Sequence, residues 1–340
     1  MQIQAFLEYC RKDRPGTSPV VIGHPAGHLV PMKPPVNVKT SIKQPPPLTT
    51  SMTCEAAFRA AAAHYLQQLT ARHEGTAAGD PAALHAMRVA MTRLRTTIAL
   101  FSPMVEGDEQ IRLAAELKWL RAHLGIVRDL DVALDRLAKI KPKGAVKGTV
   151  KGSINDRPWK QERAACQRHL TRALRSPRYR QLIKDITAWI ESGDWSRKRN
   201  KMAVAQRTRP AGEYCADTLQ AWRKKLLKKS RNLEELGTRK RHRVRLANKR
   251  LSYAIEAAEQ LAPPDEAPAR ETMLKLLRTT QKSLGQLNDD ARRRALAAAF
   301  GEDQMNRSDL LLDGKQKKRL LGKAVKAYDG LGRLEPLKVG

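Results

Sequence analysis

A ten-residue pattern that occurs twice constrains this chain more than any other stretch of it. The first copy runs from His85 to Leu94 (His-Ala-Met-Arg-Val-Ala-Met-Thr-Arg-Leu). The second runs from His242 to Leu251 (His-Arg-Val-Arg-Leu-Ala-Asn-Lys-Arg-Leu), 157 residues later. At about 100° per residue, His85, Arg88 and Thr92 share one arc of a helix, flanked by Arg93 and Arg95. His242, Arg245 and Lys249 share the matching arc, flanked by Arg250. Met87, Met91, Leu94 and Ile98 back the first copy, Leu251 and Ile255 the second. Each copy therefore predicts a helix with a basic ridge and a buried apolar side.

A second pattern returns at nearly the same spacing. Leu124-Gly125-Ile-Val-Arg128-Asp129 reappears as Leu284-Gly285-Gln-Leu-Asn288-Asp289, with the glycines 160 residues apart. Two motifs recurring in order imply an internal duplication. A glycine inside a helical pattern costs about 1 kcal/mol relative to alanine, and close packing of a neighbouring helix is the expected reason for it.

Apolar periodicity and capping residues place helices at 56–72, 80–101, 109–140, and 157–175 continued by 177–191. The second half repeats this programme at 212–236, 238–261, 268–300 and 309–331. Asp80-Pro81 is the clearest start, an acidic N-cap followed by proline at the first helical position. Four long helices per half predict an all-α fold of two antiparallel four-helix bundles. Their expected bounds are about 52–192 and 212–331, with the basic run 193–211 as a hinge. Residues 1–50 hold 9 of the 19 prolines and no sustained period, so they read as a disordered extension with a short helix at 2–11. Residues 141–155 read as a flexible basic loop.

Charge narrows the partner. Lys and Arg number 65 against 34 Asp and Glu, a net +31, which draws polyanions: nucleic acid, an anionic membrane surface or a phosphate-rich ligand. The cysteines, Cys10, Cys54, Cys166 and Cys215, lie far apart, form no Cys-x-x-Cys pair, and suggest neither a zinc site nor a disulfide framework. With no apolar leader and no run long enough to span a bilayer, a cytoplasmic protein is expected. No P-loop, nucleophile elbow or metal-spaced cluster is present, so neither catalysis nor a cofactor nor a metal is expected. Asp129, Asp131, Asp289 and Asp290 are expected to pair with arginines on adjacent helices.

Taken in order, His85-x-x-Arg88 with Arg93-Leu94-Arg95, Leu124-Gly125 with Arg128-Asp129, His242-x-x-Arg245 with Lys249-Arg250, and Leu284-Gly285 with Asn288-Asp289 resemble the CHAD domain, the conserved-histidine α-helical domain. The likeness covers roughly 52–331. It implies two helical bundles about a pseudo-twofold axis, a basic groove between them, inorganic polyphosphate as ligand and association with polyphosphate granules. Some relatives are fused to a CYTH triphosphatase, but the Glu-x-Glu-x-Lys signature of that activity is missing from this sequence. Thr92 and Ser252 stand where such proteins usually carry arginine, which weakens the expected ridge.

Polyphosphate is a linear anion without bases, suited to arginines that fork onto phosphate oxygens. The candidate ligand residues are His85, Arg88, Arg93, Arg95, Lys118, Arg121, His242, Arg245, Lys249, Arg250 and Lys275. The rival reading is non-specific nucleic-acid binding. Against single-strand recognition, the five tryptophans are scattered along the chain and not interleaved with the ridges.

Overall fold

Several helix starts in this protein follow capping side chains. The structure, a computed structural model, describes residues 49, 51–138, 156–259, 264–300 and 311–336. Apart from residue 49, the expected extension 1–50 lies outside the described residues, as does the 141–155 loop. Helix α1 (Cys54–Thr70) starts at Thr53, whose hydroxyl accepts from the Ala56 amide. After the short α2 (His73–Ala77), α3 (Pro81–Leu100) starts at Asp80, whose carboxylate accepts from Ala82 and Ala83 at 2.8 and 3.2 Å. Helices α4 (Ser102–Val105) and α5 (Asp108–Ala138) follow. Then come α6 (Arg157–Arg175) and α7 (Pro177–Ser192), separated at Ser176-Pro177, where the serine hydroxyl caps α7. The second half comprises α10 (Ala211–Ser230), α11 (Thr238–Ala257), α12 (Ala267–Phe300) and α13 (Gly314–Arg333), the last opened by an Asp313–Gln316 capping box.

The fold is all-α. Among the described residues there is no strand, only an isolated bridge between Thr53 and Pro210. Helix α3 packs on α1 and α5, α5 on α6 and α7, and α7 returns to α1, so the first half closes on itself. In the second half each helix packs on the next, and α13 closes against α10. The halves meet where α11 lies on α3. No helix among the described residues is long and apolar enough to cross a membrane.

The expected apolar side of each ridge is buried: Met87, Met91, Leu94 and Ile98 in α3, Leu251 and Ile255 in α11. Four aromatic residues gather at one place. Phe58 is edge-on to Phe101, Trp189 and Trp195, with ring centroids 5.8, 5.6 and 5.3 Å away, tying α1 to three neighbouring segments.

The run 193–211 is not an irregular hinge. It forms α8 (Asp194–Arg197) and α9 (Lys201–Thr208) and is tied down at several points. Arg207 pairs with Glu55 at 3.3 Å and donates to the Trp195 and Lys198 carbonyls. The Cys54 amide donates to Arg209 O at 2.9 Å, and the Ala211 amide to Met52 O at 2.8 Å. Its arginines satisfy carbonyls and carboxylates that a solvated hinge would leave to water. The starts of α1 and α10 are therefore held side by side.

Candidate functional site

Each ridge arginine passes over a glycine of the next long helix. A Cβ built on Gly125 in α5 would lie 3.3 Å from Arg88 Nη1. One on Gly285 in α12 would lie 3.9 Å from Arg245 Nε. The Leu-Gly motifs thus serve a different purpose from the one expected: the close neighbour is an arginine side chain, not a second helix backbone. A guanidinium held against a helix surface keeps its planar fork pre-oriented. Arg88 Nη1 and Arg245 Nε are themselves buried, so the side chains are anchored near their heads.

The two ridges come together across the halves. His85 lies among Arg128, Arg88 and Lys249, the last contributed by the other half. Lys249 Nζ sits 5.3 Å from the Tyr253 ring centroid, and Tyr253 also neighbours Arg93 and Arg245. The shared seam therefore carries His85, Arg88, Arg128, Arg245 and Lys249. Arg93 is a strut within it. It reaches across to Glu256 of α11 at 3.4 Å and lies between the rings of Tyr65 and Tyr253, 5.9 and 5.8 Å from their centroids. Glu256 also meets Arg278 of α12 at 3.5 Å. One carboxylate thus holds cations from both halves.

The remaining candidates spread to the flanks. Arg95 neighbours Arg121 of α5, and Lys118 is exposed one turn before it. Arg250 stacks on Trp222 at 4.1 Å, facing α10 rather than α3. Lys275 is exposed on α12, one turn from Arg278. Thr92 donates its hydroxyl to the Arg88 carbonyl at 2.8 Å. Ser252 is 3 % exposed and belongs to the core, so it takes nothing from the ridge. The expected weakening at that position is corrected: an arginine there would point into packed side chains.

The two histidines differ. His242 Nδ1 bonds Asn288 Oδ1 at 2.7 Å, which fixes the ring against α12. At the position of Asn288 in the first Leu-Gly motif stands Arg128, a cation, and no such bond forms to His85. Partial desolvation, then the charges of Arg128, Arg88 and Lys249, hold the His85 imidazole below its ordinary value. The charged form of His85 is thus disfavoured in the free protein. A polyanion bound there would offset the cations and raise that basicity, so that binding would take up a proton. Affinity is expected to rise as pH falls from about 8 to about 6, and His85→Gln to flatten the rise. Dissociation constants across that window check this; a flat wild-type profile removes His85 from the site.

Sequence reasoning missed three residues that shape the seam. Tyr253 and Glu256 stand just beyond the second motif. Asn248, fully buried, donates to the Leu277 carbonyl at 3.0 Å and accepts from Tyr328 at 3.3 Å. It lies on the same face as Val244, Leu251 and Ile255, and a polar residue on an apolar stripe was the signal for it.

Two of the four candidate acids are engaged with cations. Asp131 pairs with Arg163 of α6 at 3.0 Å. Burial would raise the Asp290 carboxyl, but the Leu312 amide, Arg294 and Lys317 outweigh it and hold it below the usual range. Its cations come from its own helix and from α13, so pairing with an adjacent helix holds only in part. Burial pushes the Cys54 thiol up to about 11 and that of Cys215 to about 12, far from nucleophilic. Among the described residues no three His, Cys, Asp or Glu converge as a metal site would require.

A family model of the CHAD domain matches residues 60–298. Among solved structures, the crystal structure of the CHAD domain from the plant Ricinus communis is similar in fold, with a TM-score of 0.68 at 24 % identity. The match covers 87 % of this chain and 98 % of that one. No curated protein matches the chain.

Proposed function

Because this chain belongs to the CHAD domain family, we propose that it binds inorganic polyphosphate, without cleaving it, in the basic seam between its two helical halves. The reading places the ligand between a first bundle at about 52–192 and a second at about 212–331. It further holds that this affinity draws the protein to polyphosphate granules in the cytoplasm. The observation that carries it is the convergence of His85, Arg88 and Arg128 with Lys249 of the other half. A ligand that brings several negative charges at close spacing is drawn to such a cluster. Two anchored arginines, Arg88 and Arg245, add directional donors that phosphate oxygens accept well.

The same charge attracts nucleic acid, but the tryptophans favour the simpler anion. Trp159, Trp189 and Trp195 are buried, while Trp119 and Trp222 lie under Arg178 and Arg250 at 4.4 and 4.1 Å. None of them offers an open face to a base beside the seam.

Competition tests the reading. Long-chain polyphosphate is expected to displace bound DNA at a phosphate concentration at least tenfold below that needed for the reverse, since both ligands draw on the same charge but only one fits the seam. Displacement in the opposite order would make this a nucleic-acid-binding protein. Incubation with polyphosphate and divalent metal is expected to leave the chain length unchanged on a gel.

A further inference from the structure

The two corners beside the seam, one in each half, differ in charge. Residues 224–243, the end of α10, the turn and the start of α11, contain nine Lys and Arg against two acids, Glu234 and Glu235. At the same 157-residue offset, residues 67–86 contain Arg72 alone, accompanied by Glu74 and Asp80. Lys224, Lys225, Lys228 and Lys229 of α10 are exposed, as are Arg239 and Lys240 of α11, and none of the six forms an ion pair among the described residues. Neighbouring helices lie roughly 10 Å apart, so these side chains form one narrow basic strip around the α10–α11 corner. Helix α11 then leads directly from the strip to His242, Arg245 and Lys249.

We infer that this corner is a second contact surface for the polyanion, along which a long chain leaves the seam, and that the matching corner of the first half is not. The inference rests on the proposed polyphosphate reading. Unpaired like charges this dense destabilise the free protein, and a flexible anion already held in the seam reaches them at high effective concentration. A continuing polyphosphate segment is favoured over nucleic acid. Residues 224–243 contain no Phe, Tyr or Trp, and Trp222 beside them is covered by Arg250.

Two consequences separate this from a merely solvated face. Affinity for polyphosphate should keep increasing after the seam is filled, and the extra increment should depend on the corner alone. The test titrates the full chain with a ladder of polyphosphate lengths. Wild type is compared with Lys224→Gln/Lys228→Gln/Arg239→Gln/Lys240→Gln, and with a control in which the three lysines become arginine. Short chains should bind all three proteins alike. With long chains the glutamine variant should lose at least about tenfold while the arginine control matches wild type. Helicity and melting temperature should stay level, since the altered side chains are exposed. Equal plateaus at every length in wild type and variant overturn the corner as a contact surface while leaving the seam standing. A selective loss of DNA binding with polyphosphate unaffected also overturns it. If wild type binds no length of polyphosphate, the proposed function itself falls, and the corner with it.

Discussion

Arg88→Glu combined with Arg245→Glu is expected to weaken polyphosphate binding about a thousandfold at fixed salt while the protein stays helical. Each charge-assisted contact to phosphate contributes about 2 kcal/mol, and losing two removes about 4 kcal/mol, close to three decades. Repulsion by the new carboxylates adds to this. Neither substitution disturbs the apolar side of its helix, which is formed by residues such as Met87, Met91 and Leu251. The glycines beside them, Gly125 and Gly285, leave room for a shorter side chain. A salt titration of the dissociation constant, with circular dichroism on the same samples, checks the prediction. A variant that binds with the wild-type constant and salt slope would mean that the charge acts diffusely and that the ridges are structural.

The second large effect concerns stability. Arg223→Leu is expected to cost about 3 kcal/mol, because Arg223 is only 4 % exposed and its guanidinium gathers the end of α13. It donates to the carbonyls of Leu331, at 2.7 Å, and Glu335, at 2.9 Å, and also to that of Leu334. These are the groups a helix end leaves without intrahelical partners, and a cation there also meets the negative end of the helix dipole. Leucine fills part of the volume but donates nothing, so buried carbonyls would lose their donors. The melting temperature should drop by roughly 5–10 °C. Arg223→Lys should recover part of the loss, since it keeps the charge without the fork. Unchanged melting of the leucine variant would mean that water replaces the arginine at little cost and that the α10–α13 contact does not depend on it.

Helical elements were legible because their causes are local. Asp80-Pro81 and Ser176-Pro177 mark starts through bonds that reach only two or three residues, whereas the last helix, expected from 309, starts after its Asp313 cap. The ridges were legible because a helix sorts residues by angle alone. The contacts of the connector were not legible, because Arg207 reaches Glu55, Trp195 and Lys198 outside its own helical turn. The contact of Arg93 was not legible either, because its partner Glu256 lies 163 residues on and no local rule joins them. The burial of Ser252 did have a signal, since it lies four residues after Asn248 and three before Ile255 on the apolar face.

By itself the sequence determined that the chain is helical, that two basic ridges recur, and which face of each must be buried. Those follow from helical period, capping and the cost of exposing apolar surface, all set within a few turns. Only the tertiary structure decided which cations meet. It brought Lys249 to His85, set Arg88 and Arg245 over glycines of other helices, turned Arg93 into a strut, and distinguished the two histidines by placing Asn288 beside one and Arg128 beside the other. Electrostatic interaction depends on distance through space, and packing α11 on α3 sets those distances across more than a hundred residues of intervening chain.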